Sequence, residues 1–157
     1  MRKRLITQTP QGRPSDRNHC LDLSVAALVE VTSEEKDYPI ESALIPGKSK
    51  GWRAAESGIQ TIRLHFDRPQ KLKRISLVFD EKEMSRTQEF VLQWSPNREG
   101  ALRDIVRQQW NFSPPHSTTE VEEYCVELSD VIVLGLTITP DIGGGMARAS
   151  LQSLAVS

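Results

Sequence analysis

The segment IQTIRLHFDRPQKLKRISLVFD, residues 59–80, has the clearest hydrophobic pattern in the chain. Hydrophobic side chains occupy alternate positions on either side of a polar stretch at 68–71: Ile62, Leu64 and Phe66 before it, and Ile75, Leu77 and Phe79 after it. A period of two is typical of half-buried strands in antiparallel sheets. The segment therefore predicts two strands, 59–67 and 72–80, joined by a turn.

The same alternation continues along the chain, and no long window has the stripe of an amphipathic helix. It predicts eight strands: 20–31, 59–67, 72–80, 88–95, 104–112, 121–129, 131–139 and 148–156. Eight strands with polar turns favour an all-β fold, an eight-stranded antiparallel jelly-roll β-sandwich. Residues 1–18 lack apolar periodicity, so we expect a flexible N-terminal tail followed by a single binding domain, 19–157.

Composition excludes several classes of function. Twenty basic and 21 acidic side chains give a net charge of −1. This balance provides no general attraction for nucleic acid or an anionic membrane, so no nucleic-acid partner is expected. The longest apolar run, 131–136, is too short for a membrane span. The basic start MRKR is followed by only two apolar residues, and the two cysteines form no framework, so we expect a cytoplasmic location.

Four stretches resemble the galactose-binding-like β-sandwich family, which includes the discoidin or coagulation factor 5/8 type C domains. They are ALIPGKSKGW (43–52), QTIRLHFDRP (60–69), LKRISL (72–77) and ASLQSL (149–154). The resemblance implies a binding role without catalysis, with sugars, lipid head groups or proteins as partners. Many members of the family also carry a structural calcium.

The chain departs from the family at the calcium positions. Pro46 precedes Gly47 where an aspartate is common, and Ser153 stands at an acidic position of the last strand. Since calcium requires several oxygen ligands, including carboxylates, no metal is expected.

Catalytic motifs are missing from the sequence. The three histidines lack metal-ligand spacing, there is no nucleophile elbow or P-loop, and the run Glu34–Asp37 resembles a solvated charge cluster. We therefore expect no enzyme activity and no cofactor.

The lengths of the links indicate where a ligand would bind. The links 32–58, 81–87, 113–120 and 140–147 follow alternate strands, so in an antiparallel sandwich they gather at one end. The residues there and on the strand leading to it are the candidate ligand-binding set: Trp52, Arg53, Arg86, Arg107, Gln109, Asn111, His116 and Arg148. An aromatic ring covers the apolar face of a sugar, while Arg, Asn and Gln bind its hydroxyls.

Several candidates have a structural alternative. Trp52 either stacks on a ligand or plugs the end of the sandwich. Arg53 and Arg86 either bind ligand or form ion pairs with nearby glutamates. In RQQWNFSP, 107–114, strand geometry places Trp110 towards the core and Arg107, Gln109 and Asn111 in an outward polar row.

Two functions remain open on this evidence. The resemblance favours a carbohydrate-binding module with its site at the long-loop end. The alternative is a protein-interaction or scaffold domain, since Trp and Arg also anchor protein interfaces.

Overall fold

The computed structural model describes residues 20–48 and 50–157, and the predicted tail, 1–18, lies outside the described residues. The elements in chain order are α1 (Leu23–Ala26), β1 (Ala27–Val31), α2 (Glu41–Leu44), β2 (Trp52–Ser57), β3 (Gln60–Asp80), β4 (Arg86–Ser95), β5 (Arg103–Phe112), β6 (Thr119–Thr139), β7 (Arg148–Leu151) and β8 (Ser153–Val156). Within the described ranges, neither helix is long and apolar enough to cross a bilayer.

Strands β3 and β6 form a long antiparallel ribbon that folds back on itself. The pairing begins with Gln60 opposite Ile138, and the register shifts near the middle of the ribbon. Fully extended, the 21 residues of β3 would span about 70 Å. Yet Phe79, near the far end of β3, contacts Phe90 with ring centroids 5.1 Å apart, and Phe90 pairs with Ile138. Both ends of β3 therefore lie at the same end of the molecule.

The folded ribbon produces a two-layer sandwich. One sheet has the order β1–β3–β6–β4–β5 and uses the first half of β3 with the second half of β6. The other halves of β3 and β6 pair with each other, and β8 joins them at β3. Strands β2 and β7 form a separate two-stranded ribbon. This arrangement confirms the predicted eight-stranded antiparallel sandwich.

The inner faces of the two layers contain the alternating residues that predicted the strands. Ile62, Leu64 and Phe66 are buried in the first half of β3, and the second half buries another three: Ile75, Leu77 and Phe79. They belong to one core cluster with side chains from β4, β6 and β8. Burial of these large apolar side chains supplies the main driving force for folding, about 1.5–3 kcal/mol each.

The eight observed strands differ from the eight predicted ones. The predicted turn at 68–71 is a bend within β3, and the predicted join between 121–129 and 131–139 is a bend within β6. Both strands bend together, so their pairing resumes beyond the bend and neither is interrupted. Asp130, with φ of 60°, marks the bend in β6.

The two ends of the domain also depart from prediction. The first strand begins only at Ala27, because Asp22 caps a one-turn helix by accepting a hydrogen bond from the Ser24 N–H at 3.1 Å. The last predicted strand, 148–156, is two short strands that pair with different partners, β2 and β3. Strand β2 was not predicted.

The longer links meet at one end of the sandwich, here called the loop end, as link length predicts. Three backbone hydrogen bonds connect them: Glu81 N to Thr118 O (2.7 Å), Ile142 N to Thr87 O (2.9 Å) and Gly58 N to Ala147 O (3.2 Å). Each of the four links takes part in at least one of these bonds.

Candidate functional site

A groove of about 380 Å³ opens at the loop end. Two sets of charged residues line it. The basic group consists of Arg53 and Arg148, which both contact Glu35, and the acidic segment is residues 80–83, with Asp80, Glu81, Lys82 and Glu83. Lys50 also lines the groove. Tyr38, Met84 and Met146 add the larger apolar surfaces.

The β2–β7 ribbon brings Arg53 and Arg148 together. Arg53 pairs with Ser150, and Arg148 precedes Ser150 by two residues on β7. Side chains two apart on a strand share a face, so the two arginines are diagonal neighbours on the same face of the ribbon. The opposite face holds the buried side chains of Trp52, Ala54, Ala149 and Leu151.

Glu35 connects the two arginines. Its Oε1 accepts a hydrogen bond from Arg148 Nη1 at 2.7 Å, and its Oε2 lies 3.9 Å from Arg53 Nη1. The Arg53 guanidinium also stacks on the Tyr38 ring, 4.4 Å from its centroid. These contacts orient both guanidinium groups, although about half of each side chain remains exposed. The interpretation of Glu34–Asp37 as a purely solvated cluster is therefore wrong for Glu35.

Trp52 plugs the end of the sandwich, which is the structural alternative predicted from the sequence. It is 1% exposed, and its indole Nε1 donates to the Ser33 carbonyl at 3.0 Å. The stacking hypothesis for Trp52 is therefore wrong, because neither face of its ring is open to a ligand. Trp52 instead packs beneath the groove and ties the link after β1 to the ribbon.

Arg86 is also part of the fold and not of a ligand surface. Its side chain is fully buried. Nε donates to Glu81 Oε1 at 2.7 Å, and Nη1 donates to the Pro140 carbonyl at 2.7 Å and to Gln88 Oε1 at 3.1 Å. The guanidinium lies over the Phe112 ring, 4.8 Å from its centroid. Arg86 thus joins two of the links at the loop end, those after β3 and β6, and the prediction that it contacts a ligand is wrong.

The polar network around Arg86 continues into the second sheet. Gln88 Nε2 donates to Glu120 Oε1 at 3.2 Å. Glu120 is fully buried, and its Oε2 has no partner within the described chain. Burial, and secondarily repulsion from Glu122, raises the pKa of the Glu120 carboxyl to about 7. A protonated Glu120 gains a donor and avoids an unpaired buried charge.

The outward row of β5 lies outside the groove. Arg107 and Gln109 both donate to Glu89 on the adjacent strand, and these hydrogen bonds, that from Gln109 first, lower the pKa of Glu89. Asn111 accepts a hydrogen bond from Thr87 Oγ1 at 2.7 Å. His116 is exposed in the link after β5 and does not line the groove.

The predicted division of RQQWNFSP is confirmed in its main point. Phe112 is buried and Trp110 is half-buried against the core, whereas Arg107, Gln109 and Asn111 are exposed. Of the eight candidate residues, only Trp52, Arg53 and Arg148 line the groove, and Trp52 does so from beneath.

Sequence reasoning missed Glu35, Tyr38 and Lys50 as groove residues. They lie in the link after β1, where no local periodicity indicates which side chains point to the ribbon. The pairing of β2 with β7 determines their position, and that pairing is not evident from either short segment.

A calcium site like that of the resembling family does not fit this chain. The described residues between Ile45 and Gly51 include Lys48 and Lys50 and no carboxylate. Elsewhere in the described chain, no group of three or more His, Cys, Asp or Glu side chains is placed to hold a metal ion.

Comparison with solved structures identifies the architecture. The family 32 carbohydrate-binding module from Clostridium perfringens NanJ, solved with galactose, superposes with a TM-score of 0.63 at 16% identity, covering 87% of this chain and 96% of that one. CpGH89CBM32-5 from the same organism, solved with GalNAc-β-1,3-galactose, gives 0.65 at 18% identity, covering 88% and 99%. The chain has the galactose-binding-like β-sandwich fold of family 32 carbohydrate-binding modules.

A third neighbour with this fold is the family 32 module of AlyQ, solved with 4,5-unsaturated mannuronic acid. It gives a TM-score of 0.60 at 15% identity and covers 84% of this chain and 95% of that one. No protein-family model matches the sequence, and no curated protein matches it in a sequence comparison.

Proposed function

We propose that the chain is a non-catalytic carbohydrate-binding module whose ligand occupies the loop-end groove. The observation that carries the proposal is the pair Arg53 and Arg148, held in fixed orientation at the loop end of a fold whose solved neighbours bind sugars. Guanidinium groups donate several hydrogen bonds in a fixed geometry, which suits the hydroxyl groups of a sugar.

The apolar residues of the groove support the same function. Tyr38, Met84 and Met146 provide surface that can pack against the C–H faces of a pyranose ring. Met146 is 83% exposed, and Met84 is also exposed. A bound sugar would bury part of this apolar surface, which contributes about 25 cal/mol per Å².

The ion pairs formed by the groove carboxylates favour binding without catalysis. Glu35 contacts two arginines, Glu81 is paired with buried Arg86, and Asp80 lies 3.6 Å from Lys82 Nζ. These three carboxylates are therefore engaged in contacts with cations of the chain itself, which supports a role in binding and not in catalysis.

A protein partner is the second candidate, and exposed apolar side chains favour it. Six large hydrophobic side chains are exposed in the described chain, and five of them lie at the loop end: Ile59, Met84, Val121, Ile142 and Met146. Apolar surface gathered at one end of a domain is typical of an interaction site.

A glycan array tests the two candidates. We expect the wild-type chain to bind a defined set of glycans, and Arg53→Ala and Arg148→Ala to weaken that binding. Arg74→Ala is the matched control, because Arg74 forms an exposed ion pair with Glu123 away from the groove. A chain that binds no glycan, or whose binding survives both groove substitutions, contradicts the proposal.

A further inference from the structure

The charges of the groove are unevenly distributed. The lining as a whole is neutral, because its four cations are balanced by four carboxylates: Lys50, Arg53, Lys82 and Arg148 against Glu35, Asp80, Glu81 and Glu83. The basic group alone has two cations, Arg53 and Arg148, and one carboxylate, Glu35, so its net charge is +1. The whole chain has a net charge of −1. A local excess of positive charge on a near-neutral protein attracts an anionic group to that place.

Both arginines keep donors for a ligand. Arg148 uses Nη1 for Glu35, and Arg53 approaches Glu35 through Nη1 while its face covers Tyr38. Apart from the bond between Arg148 and Glu35, neither guanidinium forms a hydrogen bond within the described chain. Because the side chains are 43% and 50% exposed, their remaining N–H groups can be reached from the groove.

A carboxylate, the anionic group of uronic and sialic acids, matches these donors. A guanidinium presents parallel N–H groups that match the two oxygens of a carboxylate, and such charge-assisted hydrogen bonds are roughly twice as strong as neutral ones. The two arginines already bind one carboxylate together, that of Glu35. After pairing with Glu35 and one ligand carboxylate, the basic group would be neutral.

The acidic segment is a poorer match for a carboxylate. Its Asp80 lies near Lys82 and its Glu81 is paired with buried Arg86, so the segment provides no cation that lacks a partner and adds the negative charge of Glu83. The ligand carboxylate is therefore directed to Arg53 and Arg148. The uncharged remainder of the sugar then has Met84 and Met146 within the same groove.

We propose that the loop-end groove selects sugars that bear a carboxylate and that Arg53 and Arg148 bind this carboxylate. The inference rests on the function proposed above and narrows its ligand class to acidic glycans. The charge of the ligand provides the selectivity. A neutral hydroxymethyl group in place of the carboxylate would leave the net positive charge of the basic group without a counter-charge.

Matched pairs of ligands test the proposal by isothermal titration. The probes are oligosaccharides of galacturonic, glucuronic and mannuronic acid with the methyl ester of each, and sialyllactose with lactose. We expect at least one acidic probe to bind tenfold or more tightly than its neutral partner, and raised salt to reduce the difference. Arg53→Gln and Arg148→Gln should weaken binding of the acidic member about tenfold more than binding of its neutral partner, and so abolish the preference.

Arg74→Gln is the control and should alter neither affinity, since its ion pair with Glu123 is exposed and lies outside the groove. Equal affinity for the members of every pair overturns the inference and leaves the carbohydrate-binding function standing. An equal loss of acidic and neutral binding in both groove variants also overturns it, because the arginines would then not recognise charge. If neither these probes nor a glycan array gives binding, the proposed function itself fails.

Discussion

Arg86 donates a hydrogen bond of 2.7 Å from its Nη1 to the backbone carbonyl of Pro140, in a position that solvent does not reach. The bond attaches the link before β7 to the start of β4. Through Nε, the same side chain also holds Glu81 in the link after β3. A single buried cation therefore stabilises the surroundings of the loop-end groove without contributing to its surface.

Replacement of this cation should be costly. We expect Arg86→Met to lower the free energy of unfolding by about 2–4 kcal/mol, because the Pro140 carbonyl and the Glu81 carboxylate lose their partner. Urea denaturation measures the change. Arg74→Met, which removes an exposed ion pair, should cost about 1 kcal/mol or less. Equal effects of the two substitutions would contradict a structural role for the buried network.

The buried carboxyl of Glu120 should make stability depend on pH. Its pKa is about 7 in the folded chain, against 4.5 for an ordinary glutamate. Between these values the folded state binds more protons than the unfolded state, so the contribution of Glu120 is present below pH 4.5 and is lost as the pH rises through 7.

Glu120→Gln should remove this dependence. We expect the variant to be more stable than the wild type at pH 8, by up to about 3 kcal/mol, and to be similar at pH 4.5. Urea denaturation at a series of pH values gives both curves. Glu123→Gln serves as the control, since Glu123 is about half exposed and should leave the curve unchanged. A variant whose curve parallels that of the wild type would mean that Glu120 ionises normally.

The indole N–H groups of Trp52 and Trp110 differ in whether they form a hydrogen bond. Trp52 Nε1 donates to the Ser33 carbonyl, whereas Trp110 Nε1 is buried and has no partner within the described chain. We expect Trp52→Phe to lower the free energy of unfolding by about 1–3 kcal/mol, because the Ser33 carbonyl loses its donor. Trp110→Phe should cost clearly less or be neutral, because no hydrogen bond is lost.

Larger truncations extend this test. Trp52→Ala should cost about 3–5 kcal/mol, as expected when a large core side chain is removed. If Trp52→Ala kept the stability of the wild type and lost only glycan binding, Trp52 would be a ligand-stacking residue after all.

The polar row on β5 should be independent of the groove. We expect the double variant Arg107→Ala, Gln109→Ala to bind glycans as the wild type does. The pKa of Glu89 should rise towards its ordinary value, because both hydrogen bonds that lower it are removed. Glycan titration and an NMR titration of the Glu89 carboxyl carbon measure the two effects. A loss of glycan binding in this variant would move the site from the loop end to the sheet face.

Alternation in the sequence was sufficient to predict the layers of the fold. Residues such as Ile62 and Phe79 face the core because every second position of a strand points inwards, and this rule depends only on local geometry. The same rule placed Phe112 in the core and Arg107 outside. A bend and a turn leave similar polar signatures, however, so the continuity of β3 through 68–71 was not predictable.

The site was less predictable than the fold, because its residues depend on distant pairings. Strand β2 has the sequence WRAAES, in which two alanines give little β-propensity. Its position follows from pairing with β7, almost one hundred residues later. Arg86 has no local signal of burial either, since the Pro140 carbonyl that it binds lies 54 residues further along the chain. The positive charge of Arg86 was therefore the only local signal, and it indicated an exposed side chain.

The folded ribbon of β3 and β6 has a consequence for biosynthesis. Gln60 pairs with Ile138, so the beginning of β3 can pair with β6 only after the chain has been synthesised as far as residue 138. Chains dominated by such distant pairings fold slowly, since long loops must close before their contacts form. During synthesis on the ribosome, β3 is made well before β6. The apolar face of β3 is therefore not covered by β6 during that interval. We therefore expect the growing chain to need protection from aggregation until β6 has emerged.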